Sequence, residues 1–188
     1  MAIIKLTLPN ESIIICLVER KLMAAKIIID GYNLIGTAHN DLKAERARLI
    51  RDLSNYGRRK GLDVTVVFDG IKDGYNRTRT VTMGLTVIYS GRGESADDVI
   101  KEITGAAGVN YIVVSSDRDI VSFAWSKNCT PVRSEDFLQR LYPGNSATMI
   151  MYAKDAGNED DLPTLKKKGN PRVLSKKERS IRQAMDKL

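Results

Sequence analysis

The sequence predicts an α/β fold in which helices cover both faces of a central, mainly parallel β-sheet. Short runs of β-branched and other apolar residues recur along the chain, and such nearly continuous runs are typical of strands buried on both faces. Helical patterns separate these runs, and this alternation indicates a doubly wound sheet. The chain has 188 residues, 43% of them hydrophobic, which is enough for one domain with a substantial core plus extensions.

Five segments are predicted to be strands: 26–29, 64–68, 85–89, 111–116 and 130–132. The first, second and fourth lead directly to Asp30, Asp69 and Asp117, and the third precedes the segment that contains Asp97. If these strands lie parallel in one sheet, all four carboxylates reach the same carboxyl edge, where open α/β sheets bind their ligands.

Helical spacing of apolar residues predicts helices over 41–60, 95–104, 119–127 and 134–141. Gly61 and Gly105 follow the first two as stop signals. Ser95 is expected to cap the second helix together with Asp98, and this leaves Asp97 facing the carboxyl edge of the sheet.

Clustered carboxylates repel one another, and a hard divalent cation bound through oxygen is the usual remedy. Each aspartate also has a simpler explanation, because Asp69 could form a turn with Gly70 and Asp97 could serve its helix terminus. Four independent caps need not fall at corresponding ends of successive strands, so a shared site that binds Mg²⁺ or Mn²⁺ is favoured. Asn33 adds an amide that could orient water or phosphate.

Several other chemistries are excluded. The sequence has no P-loop and lacks the third glycine of a dinucleotide fingerprint. No serine or cysteine triad can be assembled with the single His39. Cys16 and Cys129 show no metal-ligand spacing and are expected to be free thiols in a reducing cytoplasm. The apolar run 13–18 is too short to span a membrane, so we expect a cytoplasmic protein that acts away from membranes.

The positive charge of the chain is concentrated at its C-terminal end. Residues 166–188 hold nine basic and two acidic residues, a net +7, whereas the rest of the chain holds 21 of each. A basic end on a neutral body indicates a polyanionic partner such as nucleic acid, although a solvated tail that aids solubility is the alternative. Ser175 and Glu178 form a capping box, and apolar residues recur at helical spacing from Ile181 to Leu188, so a short basic helix is predicted.

These residues resemble the ordered motifs of the YacP-like NYN domains, a branch of the PIN-type nucleases. The motifs are 28–36 (IIDGYNLIG), 67–70 (VFDG), 94–97 (ESAD) and 115–117 (SSD), and residues 133–134 and the basic end from 171 also resemble the group. The resemblance implies a PIN-like three-layer α/β/α fold and endoribonuclease activity with Mg²⁺ or Mn²⁺. Carried over position by position, it makes Asp30, Asp97 and Asp117 the metal ligands, with Asn33 and Asp69 as supporting catalytic-site residues.

The sequence is predicted to contain four parts. We expect residues 1–22 to be an extension that either forms a hairpin or precedes the true start, and 23–145 to be the NYN/PIN-like nuclease domain. Residues 146–165 are expected to be a linker, and 166–188 a basic tail with a short helix. The implied reaction is metal-assisted cleavage of RNA phosphodiester bonds, with single-stranded RNA as the expected substrate.

Two other functions stay open at the level of sequence. One is a non-catalytic RNA-binding module of the same fold, with the ribosome as a candidate partner. The other is a DNA-processing nuclease or a metal-dependent phosphatase. The enzyme that cleaves RNA is favoured because all three core carboxylates are present.

Overall fold

The computed structural model describes residues 24–36, 41–70, 76–106, 108–144 and 174–188. The expectations for the extension 1–22 and the linker 146–165, and those for Cys16 and His39, lie outside these residues.

One six-stranded sheet forms the centre of the molecule. Its strands are β1 (Lys26–Asp30), β2 (Asp63–Phe68), β3 (Thr78–Thr82), β4 (Leu85–Tyr89), β5 (Tyr111–Val114) and β6 (Thr130–Val132). They lie in the order β3-β4-β2-β1-β5-β6, and every neighbouring pair is parallel except β3 with β4. The carboxyl ends of five parallel strands therefore share one edge, with β1 in the interior of the sheet.

Helices cover both faces of this sheet. They are α1 (Gly31–Ile35), α2 (Leu42–Lys60), α3 (Ala96–Gly105), α4 (Arg118–Ser126), α5 (Ser134–Leu141) and α6 (Lys176–Lys187). Alternate residues of β1 point to opposite faces: Ile27 and Ile29 join the core beneath α1, α2, α5 and α6, whereas Ile28 joins the core beneath α3 and α4. The predicted three-layer α/β/α fold is thereby confirmed.

Local sequence explains where the helices begin and end. The Asp41 carboxylate caps α2 by accepting the backbone N–H groups of residues 43 and 44, and Gly61 ends the helix in the left-handed conformation with φ 67°. Ser95 and Asp98 form the predicted capping box at the start of α3. None of the helices in the described part of the chain is long and apolar enough to cross a membrane.

Three local features differ from the sequence-based expectations. The antiparallel strand β3 was not predicted, because it is an exposed edge strand with a single apolar residue, Val81. Met83 (φ 49°) and Gly84 (φ 82°) form the tight turn that pairs β3 with β4. Helix α1 was not predicted either, and β5 ends at Val114 rather than continuing to residue 116.

The C-terminal helix α6 packs onto the body of the protein beside β6. Ala184 and Leu188 are buried in the same core cluster as Tyr56 and Phe137, and the Tyr56 hydroxyl donates a hydrogen bond to the Leu188 carbonyl. The apolar stripe of the basic helix thus faces the core.

Candidate active site

Asp30 lies at the carboxyl end of β1, and only 8% of its surface is exposed. Its Oδ1 accepts the backbone N–H of Asn33 at 3.1 Å and so caps helix α1, while the Ser115 hydroxyl approaches Oδ2 at 3.5 Å. Gly31 lets this helix begin at once, because a Cβ there would lie 2.2 Å from the ring of Phe68. The absence of a side chain at Gly31 thus permits a close contact between the start of the helix and the Phe68 ring.

Asp69 follows β2 and connects the end of this strand to the start of α3. Its Oδ1 accepts the backbone N–H of Ala96 at 2.6 Å and lies 3.4 Å from the Ser90 hydroxyl. Because Ala96 is the first residue of α3, this carboxylate fixes the start of the helix that carries Asp97.

Asp97 and its neighbour Asp98 have different surroundings. The Asp98 carboxylate accepts hydrogen bonds from the backbone N–H and the hydroxyl of Ser95, at 3.0 and 2.8 Å. The Asp97 carboxylate accepts no hydrogen bond within the described part of the chain, and it interacts electrostatically with Asp117 and Asp69. Asp97 is therefore the member of this pair that faces the other carboxylates.

Asp117 caps helix α4. Its Oδ1 accepts the backbone N–H groups of Asp119 and Ile120 at 2.7 and 3.1 Å. These bonds orient the side chain and engage one of its two oxygens. The Asp119 side chain forms an ion pair with Lys101 instead of joining the four carboxylates.

Burial and neighbouring charges raise the pKa of two of these carboxylates, Asp30 and Asp97. Burial, followed by the charges of Asp97 and Asp69, raises the pKa of Asp30 from 3.8 to about 6, although the Asn33 hydrogen bond opposes the shift. Burial, followed by the charge of Asp117, also raises the pKa of Asp97. The structure thus brings Asp30, Asp69, Asp97 and Asp117 within electrostatic reach of one another at one edge of the sheet.

Asn33 holds three elements together at this edge. Its side-chain oxygen accepts the backbone N–H of Ser116 at 2.8 Å and the hydroxyl of Ser134 at 2.5 Å. These bonds join α1 to the segment after β5 and to the start of α5. In this arrangement the amide oxygen is engaged by protein donors, and the amide NH₂ is the polar group left to meet a ligand.

Glu135 brings a fifth carboxylate toward this edge. The Ser116 hydroxyl lies 2.9 and 3.1 Å from its two oxygens, and the backbone N–H of Ser134 donates to the same hydroxyl at 3.1 Å. Sequence reasoning missed Glu135, because an acidic residue in the first turn of a helix is ordinarily a dipole contact. The one available signal was the pair 133–134, which resembles members of the NYN group.

Other polar and aromatic groups near the edge serve the fold. The Tyr32 hydroxyl accepts a hydrogen bond from Arg46 at 2.8 Å, and the Tyr32 ring packs edge-on against Phe68 with centroids 5.4 Å apart. Arg77 binds Glu94 and Glu102. The charge of Arg77 is thus neutralised by glutamates, and the Tyr32 hydroxyl is engaged as a hydrogen-bond acceptor.

The donor chemistry of the edge matches a hard divalent cation, since carboxylate oxygens are the ligands that Mg²⁺ and Mn²⁺ prefer. The pKa values of Asp30 and Asp97, which are raised first by burial and then by neighbouring carboxylates, also indicate a site whose repulsion a bound cation would relieve. The carboxylates, however, lie further apart than the ligands of a formed metal site. Within the residues that the structure describes, no group of three acidic, histidine or cysteine side chains lies close enough to share one ion. For the carboxylates to bind one ion together, their side chains would have to rotate. The Asp97 side chain can rotate most easily, because no hydrogen bond within the described residues holds its carboxylate.

The fold and the acidic edge together define a nuclease-like α/β domain. The model of the YacP-like NYN domain matches residues 27–182, and the chain belongs to that family. No curated protein sequence matches the chain.

The structural comparison agrees with the family match. The chain resembles the crystal structure of a single-residue variant of Rae1 (YacP) from Bacillus subtilis, with a TM-score of 0.51 and 19% identity over 68% of this chain and 91% of that chain. A second crystal structure of Rae1 (YacP) from the same organism gives a TM-score of 0.49 and 24% identity over 63% of this chain and 74% of that chain. The first of these two likenesses establishes the fold.

Proposed function

We propose that this protein is an endoribonuclease that depends on Mg²⁺ or Mn²⁺ and cleaves single-stranded RNA at the acidic edge. The observation that carries the proposal is the gathering of Asp30, Asp69, Asp97 and Asp117 at one sheet edge, where burial and mutual repulsion raise the pKa of Asp30 to about 6. Repulsion within such a carboxylate cluster lowers the stability of the folded protein, and clusters of this kind are typical of functional sites, where a bound cation neutralises the charge. The nuclease-like fold of the YacP-like NYN family supports the same conclusion.

Each residue has a proposed role. Asp30, Asp97 and Asp117 would hold the cation, which when bound would supply a Lewis acid for the phosphate and lower the pKa of the attacking water. Asp69 positions Asp97 by holding the first residue of α3. Asn33 holds the segment before Asp117 and presents its amide NH₂ toward the substrate.

A second candidate function is a non-catalytic RNA-binding module of the same fold. The loose spacing of the carboxylates in the described residues favours this candidate, because a catalytic cation normally requires converging ligands. Association with the ribosome would be one way for such a module to act.

A cleavage assay separates the two functions. Wild-type protein should cut single-stranded RNA, and not DNA of the same sequence, in Mg²⁺ or Mn²⁺, and EDTA should abolish the activity. Asp30→Asn should lose cleavage by at least 100-fold while retaining RNA binding. Binding of RNA with no cleavage in either metal would select the binding module, and undiminished cleavage in EDTA would reject the metal-dependent mechanism.

A further inference from the structure

Exposed basic side chains from three helices form a second surface away from the acidic edge, here called the basic strip. Its members are Arg58 and Arg59 at the end of α2, Arg140 near the end of α5, and Lys176, Arg179, Arg182 and Lys187 on α6, all of them exposed. The acidic residues of α6 are Glu178, which caps the helix by accepting the Ser175 N–H, and Asp186. The strip therefore has a clear excess of positive charge.

The three helices converge at Tyr56. The hydroxyl of this buried residue donates to the Leu188 carbonyl at the end of α6. The charges of Arg140 and Arg59 both act on the same hydroxyl. The basic groups of α2 and α5 therefore lie beside the end of α6, and the charge of the three helices forms one surface.

Helix α6 holds its basic residues in fixed positions. Ala184 and Leu188 are buried and Met185 packs against them, so the basic side chains of the other face point to solvent. At the beginning of the helix, Lys177 lies 5.3 Å from the centre of the Trp125 ring on α4. A docked helix presents charge with less loss of entropy on binding than a free tail does.

Ion pairs between described residues engage none of the strip's charges. Arg58 hydrogen-bonds to Asn55, and with respect to the other described residues the remaining six basic groups are available to a polyanion. This availability distinguishes the strip from Arg77 and Lys101, whose charges are already neutralised by glutamate and aspartate.

Helix α5 connects the strip to the acidic edge. Ser134, at its first position, hydrogen-bonds to Asn33 of the candidate active site. Arg140 lies six residues further on, about 9 Å along the helix axis. A single RNA strand can span this distance with a few nucleotides, so one chain can contact both surfaces.

We propose that the basic strip binds the phosphate backbone of the RNA several nucleotides from the cleaved bond, so that the protein selects RNA long enough to reach both surfaces. The inference rests on the proposed function, and it adds substrate length as a determinant of specificity. Backbone contacts of this kind position a nucleic acid without reading its sequence.

The test compares two double variants of the full-length protein. Arg140→Gln/Arg182→Gln removes two charges of the strip. The matched control, Lys43→Gln/Arg79→Gln, removes two exposed charges at the start of α2 and on β3, at the sheet edge opposite β6. Deletion of α6 is unsuitable because it would remove Ala184 and Leu188 and expose their partners in the core. Equal urea midpoints of both variants and wild type would verify folding.

Binding of a 30-nucleotide RNA in EDTA is measured by fluorescence anisotropy at several salt concentrations. Each phosphate contact to a single strand adds about 0.7 to the slope of log K against log salt, so the strip variant should lose about 1.4 from the slope and about 25-fold in affinity at 0.1 M salt. The control should retain both. An unchanged slope in the strip variant, or an equal loss in the control, would overturn the proposal.

Cleavage rates on a long and a short RNA show whether an error lies in the proposed role of the basic strip or in the proposed function. The strip variant should cut the 30-nucleotide RNA with about 25-fold lower kcat/KM and cut a trinucleotide at the wild-type rate. Equal losses on both substrates would contradict a distant binding surface. If wild type cuts neither RNA, the proposed function fails, and the salt dependence of binding still decides whether the strip contacts phosphates.

Discussion

Replacing Asp30 by asparagine should stabilise the metal-free protein at neutral pH. The pKa of Asp30 rises from 3.8 to about 6 on folding. Between these two pH values the folded state binds more protons than the unfolded state, so this group makes stability fall as the pH rises. Well below pH 3.8 the carboxyl is protonated in both states and the penalty vanishes. Above pH 6 the full penalty is present.

The size of the effect follows from the same shift. A pKa raised from 3.8 to about 6 corresponds to about 3 kcal/mol of disfavour for the ionised form. The asparagine side chain of the Asp30→Asn variant would be neutral at every pH and can still accept the backbone N–H of Asn33, which now lies 3.1 Å from the carboxylate. The variant should therefore gain about 3 kcal/mol at pH 7 and only about 0.6 kcal/mol at pH 4.

Urea unfolding in EDTA, followed by circular dichroism from pH 4 to 7.5, measures this difference. Asp186→Asn is a suitable control, because Asp186 is exposed on α6, away from the acidic edge. Addition of Mg²⁺ should then stabilise wild type more than Asp30→Asn, since a bound cation stabilises the state that holds it. A stability difference between wild type and Asp30→Asn that is the same at pH 4 and pH 7 would show that ionisation of Asp30 does not destabilise the folded protein.

Three further predictions concern neighbours of Asp30. Asp97→Asn should lower RNA cleavage by at least 100-fold, whereas Asp98→Asn should lower it little, because the Asp98 carboxylate is engaged by Ser95. A larger loss of cleavage in Asp98→Asn than in Asp97→Asn would contradict the role of Asp97 as a metal ligand. Asn33→Ala should lower the free energy of unfolding by about 1 kcal/mol, since two donors lose their acceptor, and unchanged urea stability would contradict this. Gly31→Ala should cost about 1–3 kcal/mol through the clash with the Phe68 ring, and an unaltered urea midpoint would show that the ring can move aside.

Much of the fold could be predicted because its determinants are local. The apolar runs of the parallel strands and the Ser95 capping box each need only a few consecutive residues to be recognised. Strand β3 could not be predicted in this way, since its pairing with β4 is decided by the tight turn at Met83 and Gly84 and not by an apolar pattern. The role of Gly31 depends on the distant Phe68 ring, which no local pattern reveals.

The candidate site was predictable to a similar extent. The strand-end aspartates could be identified because parallel strands bring their carboxyl ends together. The engagement of Asn33 by Ser134, and the placement of Glu135 beside Ser116, depend on how α5 packs beside α1. The basic tail could be recognised from its charge, but the burial of Leu188 against Tyr56 depends on tertiary packing.

A Mn²⁺ titration can show directly whether the acidic edge holds a catalytic metal ion, when ion binding by electron paramagnetic resonance and cleavage of single-stranded RNA are recorded on the same samples. If the acidic edge is a catalytic metal site, both signals should rise over the same Mn²⁺ concentrations in wild type, and Asp97→Asn should shift both to higher concentrations. Cleavage that proceeds without bound Mn²⁺, or Mn²⁺ binding that is unaffected by Asp97→Asn, would contradict the claim.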